Sequence, residues 1–113
     1  STVMMLRSRD YQMLFTADME ESLELLLSMY YGTQLKATDL KVGHHGSSTS
    51  TGTALLEEAR PKLAIISSGL NNRYGHPKKD VTDRLSNFGI PYLVTMYEGT
   101  INCESDGVEF VCE

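Results

Sequence analysis

The sequence predicts an α/β domain, because between Tyr11 and Phe88 a short apolar strand, a polar loop and a helix succeed one another three times. Two further observations sharpen that expectation. Residues of unusual chemistry gather where each of these strands ends, and the tail of the chain breaks into short apolar segments separated by glycine-containing turns.

The opening segments "TVMMLRS" and "YQMLFTAD" read as two strands around Arg9-Asp10, the second stopping at Thr16-Ala17-Asp18. From Glu20 to Tyr31 the residues Leu23, Leu26, Leu27 and Tyr30 recur at helical spacing, glutamates occupy the first turn, and Gly32 supplies the stop. That apolar stripe is expected to face the core. "DLKV" leads into Gly43-His44-His45-Gly46 and then a Ser/Thr stretch suited to capping a helix from about Ala54 to Ala59. "KLAIISS" leads into "GLNNRYGH", after which Pro77 is placed to open a helix reaching about Phe88, with Gly89 as its stop. "YLVTMY", "GTINCE" and "VEFVC" read as consecutive antiparallel strands. An Asp106-Gly107 turn would pair Cys103 with Phe110, so Cys103 and Cys112 are expected to lie diagonally, as two half-buried thiols.

At 113 residues the chain is one domain at most, with a modest core. An apolar fraction of 41% and a charged fraction of 22% are those of a globular protein, and no repeat, signal peptide or membrane-spanning run interrupts them, so the chain is expected to be soluble as given. Its net charge of −5 is spread along the sequence, which argues against broad electrostatic capture of nucleic acid and leaves only local phosphate contacts.

The chemistry concentrates at the strand ends: Asp18 after the first unit's strand, His44 and His45 after the second, and Asn71, Asn72, Arg73 and His76 after the third. In open α/β sheets that edge is where loops converge and ligands bind, and all three histidines of the chain fall there. Carboxylate oxygen plus imidazole nitrogen is a natural donor set for zinc or manganese. Plainer readings stand beside this one. Asp18 would serve as an N-cap for the helix that follows, a histidine of the pair would bond backbone carbonyls, His76 would be held extended by Pro77, and Arg73 with the asparagines would be turn residues. Adjacent residues at a strand end project differently, so one of His44 and His45 is expected to reach a metal, with His44 favoured.

"LFTAD", "DLKVGHHGS" and "NNRYGHP", in this order and at these separations, resemble the second half of the metallo-β-lactamase-fold domain, in the version carried by the ComEC family of bacterial competence and DNA-uptake proteins. The resemblance covers nearly the whole chain. It implies that residues 1–113 form the C-terminal half of an αββα sandwich, a mixed sheet with helices on one side, with a one- or two-metal site between the sheets. By that similarity Asp18 and His44 are metal ligands, His45 and His76 are catalytic through proton transfer, and Ser47, Asn72 and Arg73 contact substrate phosphate. In two places the sequence departs from the family pattern. Ala17 stands where the family has glycine, and the His-x-His-x-Asp-His segment of the first half has no counterpart here.

Half a site predicts half a function. One or two zinc or manganese ions are expected to be weakly bound or absent in this fragment, since two protein ligands fall below the three of a catalytic zinc site. The implied partner is the missing N-terminal half, or a second copy of the chain covering the exposed sheet face. In the full protein the substrate would be single-stranded DNA or another phosphodiester, with no membrane contact from this segment. The competing readings are a non-catalytic interaction or scaffold module of the same fold, and a small-phosphoester hydrolase. A ComEC-type protein would place the domain on the extracytoplasmic side of a bacterial membrane; a freestanding relative would be cytoplasmic.

Overall fold

Five short segments pair into one mixed sheet in the order β1-β2-β3-β4-β5, as seen in a computed structural model that describes residues 2–113. β1 (Met4–Ser8) and β2 (Tyr11–Phe15) form an antiparallel hairpin whose two-residue turn is Arg9-Asp10. β3 (Asp39–Lys41), β4 (Leu63–Ile66) and β5 (Tyr92–Val94) then join in parallel, each after a helix: α1 (Glu21–Tyr31), α2 (Thr53–Ala59) and α3 (Lys79–Asn87). Right-handed crossovers that always step to the next strand must return on the same face of the sheet. The core agrees. Leu14, Leu40 and Ala64 share one register row, and they pack in a single cluster with Leu55, Leu56 and Ala59 of α2 and Val81 and Leu85 of α3.

The opposite face carries Met4, Leu6, Met13, Asp39 and Lys41. A separate hairpin, β6 (Cys103–Ser105) with β7 (Phe110–Cys112), lies over its β2–β3 part. Phe110 packs on Tyr11 with ring centroids 5.9 Å apart, and the Asp10 N–H donates to the Gly107 carbonyl at 2.7 Å. Met4 and Leu6, beyond the hairpin, stay more than half exposed. Among the described residues no helix is long and apolar enough to cross a membrane.

The fold corrects four expectations. The α1 stripe has the right period, but of its four residues Leu27 packs against the core while Leu23, Leu26 and Tyr30 face outward, 53%, 54% and 85% exposed, and Glu24 and Ser28 are buried. The reason is polar, because the Glu24 carboxylate accepts hydrogen bonds from the backbone N–H groups of Thr51 at 2.6 Å and Gly52 at 2.7 Å. It thereby does the capping expected of the Ser/Thr stretch, for Gly52 is the N-cap of α2 and offers no side chain. Second, α3 begins at Lys79, not at Pro77; the Lys78 N–H is engaged by the Gly46 carbonyl at 2.9 Å, which keeps the preceding residues out of the helix.

Third, "YLVTMY" is not an antiparallel strand. Its first three residues continue the parallel sheet as β5, and Thr95–Glu98 then close a single helical turn, α4. The Thr95 hydroxyl donates to the Ser68 carbonyl and accepts from the Ser68 N–H, both at 3.0 Å, which turns the chain away from the sheet. Fourth, Cys103 lies directly opposite Cys112 and the two form a disulfide. The Asp106 carboxylate accepts from the N–H groups of Val108 and Glu109 at 2.8 and 2.9 Å, which lengthens the loop to four residues and shifts the register from the two-residue Asp-Gly turn.

Candidate functional site

Gly43 and Gly46 fence the two histidines, and each is required by a different neighbouring loop. A Cβ on Gly43 would sit 2.9 Å from the Thr16 hydroxyl, in the loop after β2. A Cβ on Gly46 would sit 2.6 Å from Cβ of Pro77, in the loop after β4. Between them the His44 N–H donates to the Ala17 carbonyl at 2.8 Å, and just downstream the Ser50 hydroxyl reaches the Met19 carbonyl at 2.7 Å. The two glycines thus let the histidine turn dovetail with both flanking loops, and three loops at one sheet edge become a single unit. His44 (φ 51°, ψ 38°) and His45 (φ 55°, ψ 26°) both adopt the left-handed conformation. For a side chain with a Cβ that conformation is unfavourable by roughly 1–2 kcal/mol per residue, so the surrounding contacts must enforce it.

The result is a row of rings. His44 and His76 lie with centroids 6.2 Å apart, Tyr74 stacks on His76 at 5.6 Å, and the exposed Arg73 guanidinium rests 5.4 Å from the Tyr74 centroid. Nδ1 of His44 is buried without a hydrogen-bond partner. Nδ1 of His45 lies 2.8 Å from the Ser67 carbonyl; a carbonyl only accepts, so that nitrogen carries the proton and Nε2 is left as the acceptor of the neutral ring. His45 and His76 line a pocket of about 240 Å³ together with Ser68, Gly69, Asn72 and Tyr74.

The other residues singled out in the sequence divide by what their polar atoms already touch. Asn72 is engaged by its own loop: its amide donates to the carbonyls of His76 at 2.6 Å and Gly69 at 2.9 Å and accepts from the His76 N–H at 2.8 Å. Ser47 is buried, its hydroxyl 3.0 Å from that of Thr49. Asp18 is exposed and caps nothing, the N-cap of α1 being Glu20. Burial pushes the Lys41 ammonium below its ordinary pKa, and the Asp18 carboxylate nearby works in the opposite direction. Two groups are not apparent from the sequence, the buried, unpartnered hydroxyls of Thr16 and Ser68. Both stand at strand ends, which is the signal that could have found them.

The donor types of Asp18 and His44 suit a divalent zinc or manganese ion, and the free Nδ1 of His44 is the atom such an ion would take. Their number does not suffice. Among the described residues, Asp18 and the histidines do not form a convergent group of three ligands.

His76 has its pKa lowered, first by burial and then by the charges of Lys78, His44 and His45. An NMR titration is therefore expected to show His76 losing its proton below the ordinary histidine value, and Lys78→Ala is expected to raise it. The sign for stability follows: below pH about 6.5 the unfolded chain takes up a proton that folded His76 refuses, so stability falls as pH drops through the window between the two values. An unshifted His76 would show that these groups do not converge.

No family model matches the chain. An α/β sheet with a histidine-rich loop edge defines its class, and particular relatives share the sequence. It is 40% identical over 101 residues to ComE operon protein 3 of Bacillus subtilis (strain 168), covering 89% of this chain and 13% of that protein. It is 37% identical over 89 residues to competence protein ComA of Neisseria gonorrhoeae, covering 79% and 13%. It is 39% identical over 88 residues to recombination protein 2 of Haemophilus influenzae, covering 78% and 11%. The chain is thus related to one segment of much longer competence proteins.

Proposed function

We propose that this chain is the carboxyl-terminal half of a metallo-β-lactamase-like, metal-dependent phosphodiesterase or nuclease domain in a DNA-uptake protein. The observation that carries the reading is the junction of the loops after β2, β3 and β4, which sets the His44 ring, its Nδ1 unpartnered, 6.2 Å from the His76 ring at one sheet edge. Its kinship with competence proteins supports the DNA connection. The missing half would lie on the face opposite the helices, where Met4 and Leu6 are exposed, and would bring the remaining ligands.

Asp18 and His44 would hold the zinc or manganese, which when bound supplies Lewis-acid neutralisation of the phosphodiester charge. His76, unprotonated at neutral pH, accepts a proton, and His45 offers Nε2 for a second transfer. Arg73 is an exposed cation for a substrate phosphate. Asn72 and Ser47, the other proposed phosphate contacts, have polar atoms engaged within their own loops, so they also hold those loops in shape. A ComEC-type assembly would set the domain on the extracytoplasmic side of a bacterial membrane.

Calorimetric titration with Zn²⁺ and Mn²⁺, on this chain alone and mixed with the preceding segment, tests the proposal. Weak binding alone, strong binding in the mixture, and cleavage of single-stranded DNA only in the mixture are expected. A completed, metal-loaded protein that cuts neither single-stranded DNA nor a simple phosphodiester would refute it. The exposed apolar face of α1, a groove of about 340 Å³ lined by Leu23, Leu26 and Tyr30 among others, favours a second reading as a non-catalytic interaction module.

A further inference from the structure

Away from the histidine loops, on the sheet face that the helices leave open, Asp39 is completely buried beneath the β6–β7 hairpin. The Tyr11 hydroxyl donates to Oδ2 at 2.6 Å, while Oδ1 is shielded from solvent and accepts nothing. Cys112 Sγ contacts Oδ2 at 3.5 Å, and Cys103 faces Cys112 across the hairpin with Cα atoms 4.1 Å apart. One ligand atom from each of Asp39, Cys103 and Cys112 falls within 4.8 Å of the others. A buried carboxylate with an unused oxygen beside two sulfurs becomes a metal donor set once the disulfide is reduced.

We propose that reduction of the Cys103–Cys112 disulfide turns this cluster into a binding site for a zinc-class divalent cation, held by two thiolates and the Asp39 carboxylate. The site is independent of the phosphodiesterase reading. A dithiol reductant supplies two electrons and becomes a cyclic disulfide; the Cys103–Cys112 bond breaks to two thiols, and both thiol protons pass to solvent as the sulfurs bind the cation. Two thiolates and one carboxylate are donors that zinc accepts, with metal–sulfur distances of about 2.3 Å and metal–oxygen distances of about 2.0–2.2 Å. Tetrahedral ligands at those lengths stand on the order of 3.5–3.8 Å apart, within the 4.8 Å that bounds the ligand atoms of this cluster. Burial raises the pKa of Asp39, against the lowering effect of the Tyr11 hydrogen bond, so a cation replaces an unfavourable buried charge with a neutralised one. In the oxidised chain the disulfide closes the hairpin on itself; in the reduced chain the cation ties it to β3.

Cobalt(II) is the probe. The chain is reduced with dithiothreitol, freed of reductant without air, and titrated. One Co²⁺ per chain with thiolate-to-cobalt charge-transfer absorption is expected, displaced by Zn²⁺, and absent from the oxidised chain and from C103S/C112S. Asp39→Asn is expected to weaken binding about 10-fold or more, a size already reached when an outer partner of a metal ligand is removed. Sulfur bands separate this site from the histidine edge, which has no thiolate. Cadmium-113 NMR of the reduced wild-type chain reads the donor set without any substitution. A reduced chain lacking thiolate bands, a cadmium shift without sulfur ligation, or D39N binding as tightly as wild type would overturn the proposal.

Discussion

Replacing Gly46 by alanine is expected to destabilise the fold by about 3 kcal/mol and to part the His44 and His76 rings. Two effects add. At φ +86° any Cβ is unfavourable, and this one would also lie 2.6 Å and 2.8 Å from Cβ and Cα of Pro77, with Ile66 behind it at 3.4 Å. Neither neighbour is the free end of a flexible side chain, so the histidine turn must back away from the third loop and lose the Lys78 hydrogen bond to the Gly46 carbonyl. Gly89→Ala isolates the first effect, since Gly89 has φ +72° with nothing within 4 Å of its would-be Cβ, and should lose only about 1–2 kcal/mol. Urea denaturation compares the two variants, and NMR reads the lost influence of His44 and His45 on the His76 titration in G46A. Equal losses in both variants would mean that the loop junction at Pro77 is soft, and the site with it.

What the sequence made legible was local. The three strand-loop-helix units are written in short-range periodicity, and the placement of all three histidines at one sheet edge follows from those units alone. What it concealed was set by distant partners. The face of α1 depends on Glu24 finding N–H groups 27 and 28 residues away, which outweighs exposing Leu23, Leu26 and Tyr30. The cysteine register depends on the Asp106 carboxylate taking two amides of its own loop, a choice a dipeptide turn rule does not weigh. The fence of glycines around the histidines was visible as a pattern, but its reason lies in Thr16 and Pro77, each in another loop. Thr16 and Ser68 were plain hydroxyl residues in the sequence, marked only by their place at strand ends. Their importance is a property of burial, which only the assembled sheet confers.

Glu24→Ala is expected to be more damaging than Gly46→Ala, at about 4 kcal/mol. The carboxylate satisfies two buried N–H groups at the start of α2, and each left bare is unfavourable by roughly 1–3 kcal/mol. The damage extends to the site, because Thr51, held at φ +58°, also accepts from the Gly43 N–H through its hydroxyl at 3.2 Å and from Arg84 of α3 through its carbonyl at 2.9 Å. Glu24→Gln keeps one acceptor and points a donor at the other N–H, so it should lose about half as much. The pH dependence has a definite sign. Burial raises the Glu24 pKa, with Glu21 adding to the rise, while the two N–H groups and Arg84 resist it. Between the ordinary carboxyl value and that higher one the folded chain holds a proton the unfolded chain has released, so stability falls as pH rises through the window. E24Q has no such proton, and its deficit against wild type should therefore be larger in mild acid than at neutral pH. The other buried carboxyl, Asp39, is common to both proteins and cancels in the difference. Denaturation of the pair at several pH values measures it; a deficit that does not vary with pH would show that Glu24 titrates alike in the folded and unfolded chains.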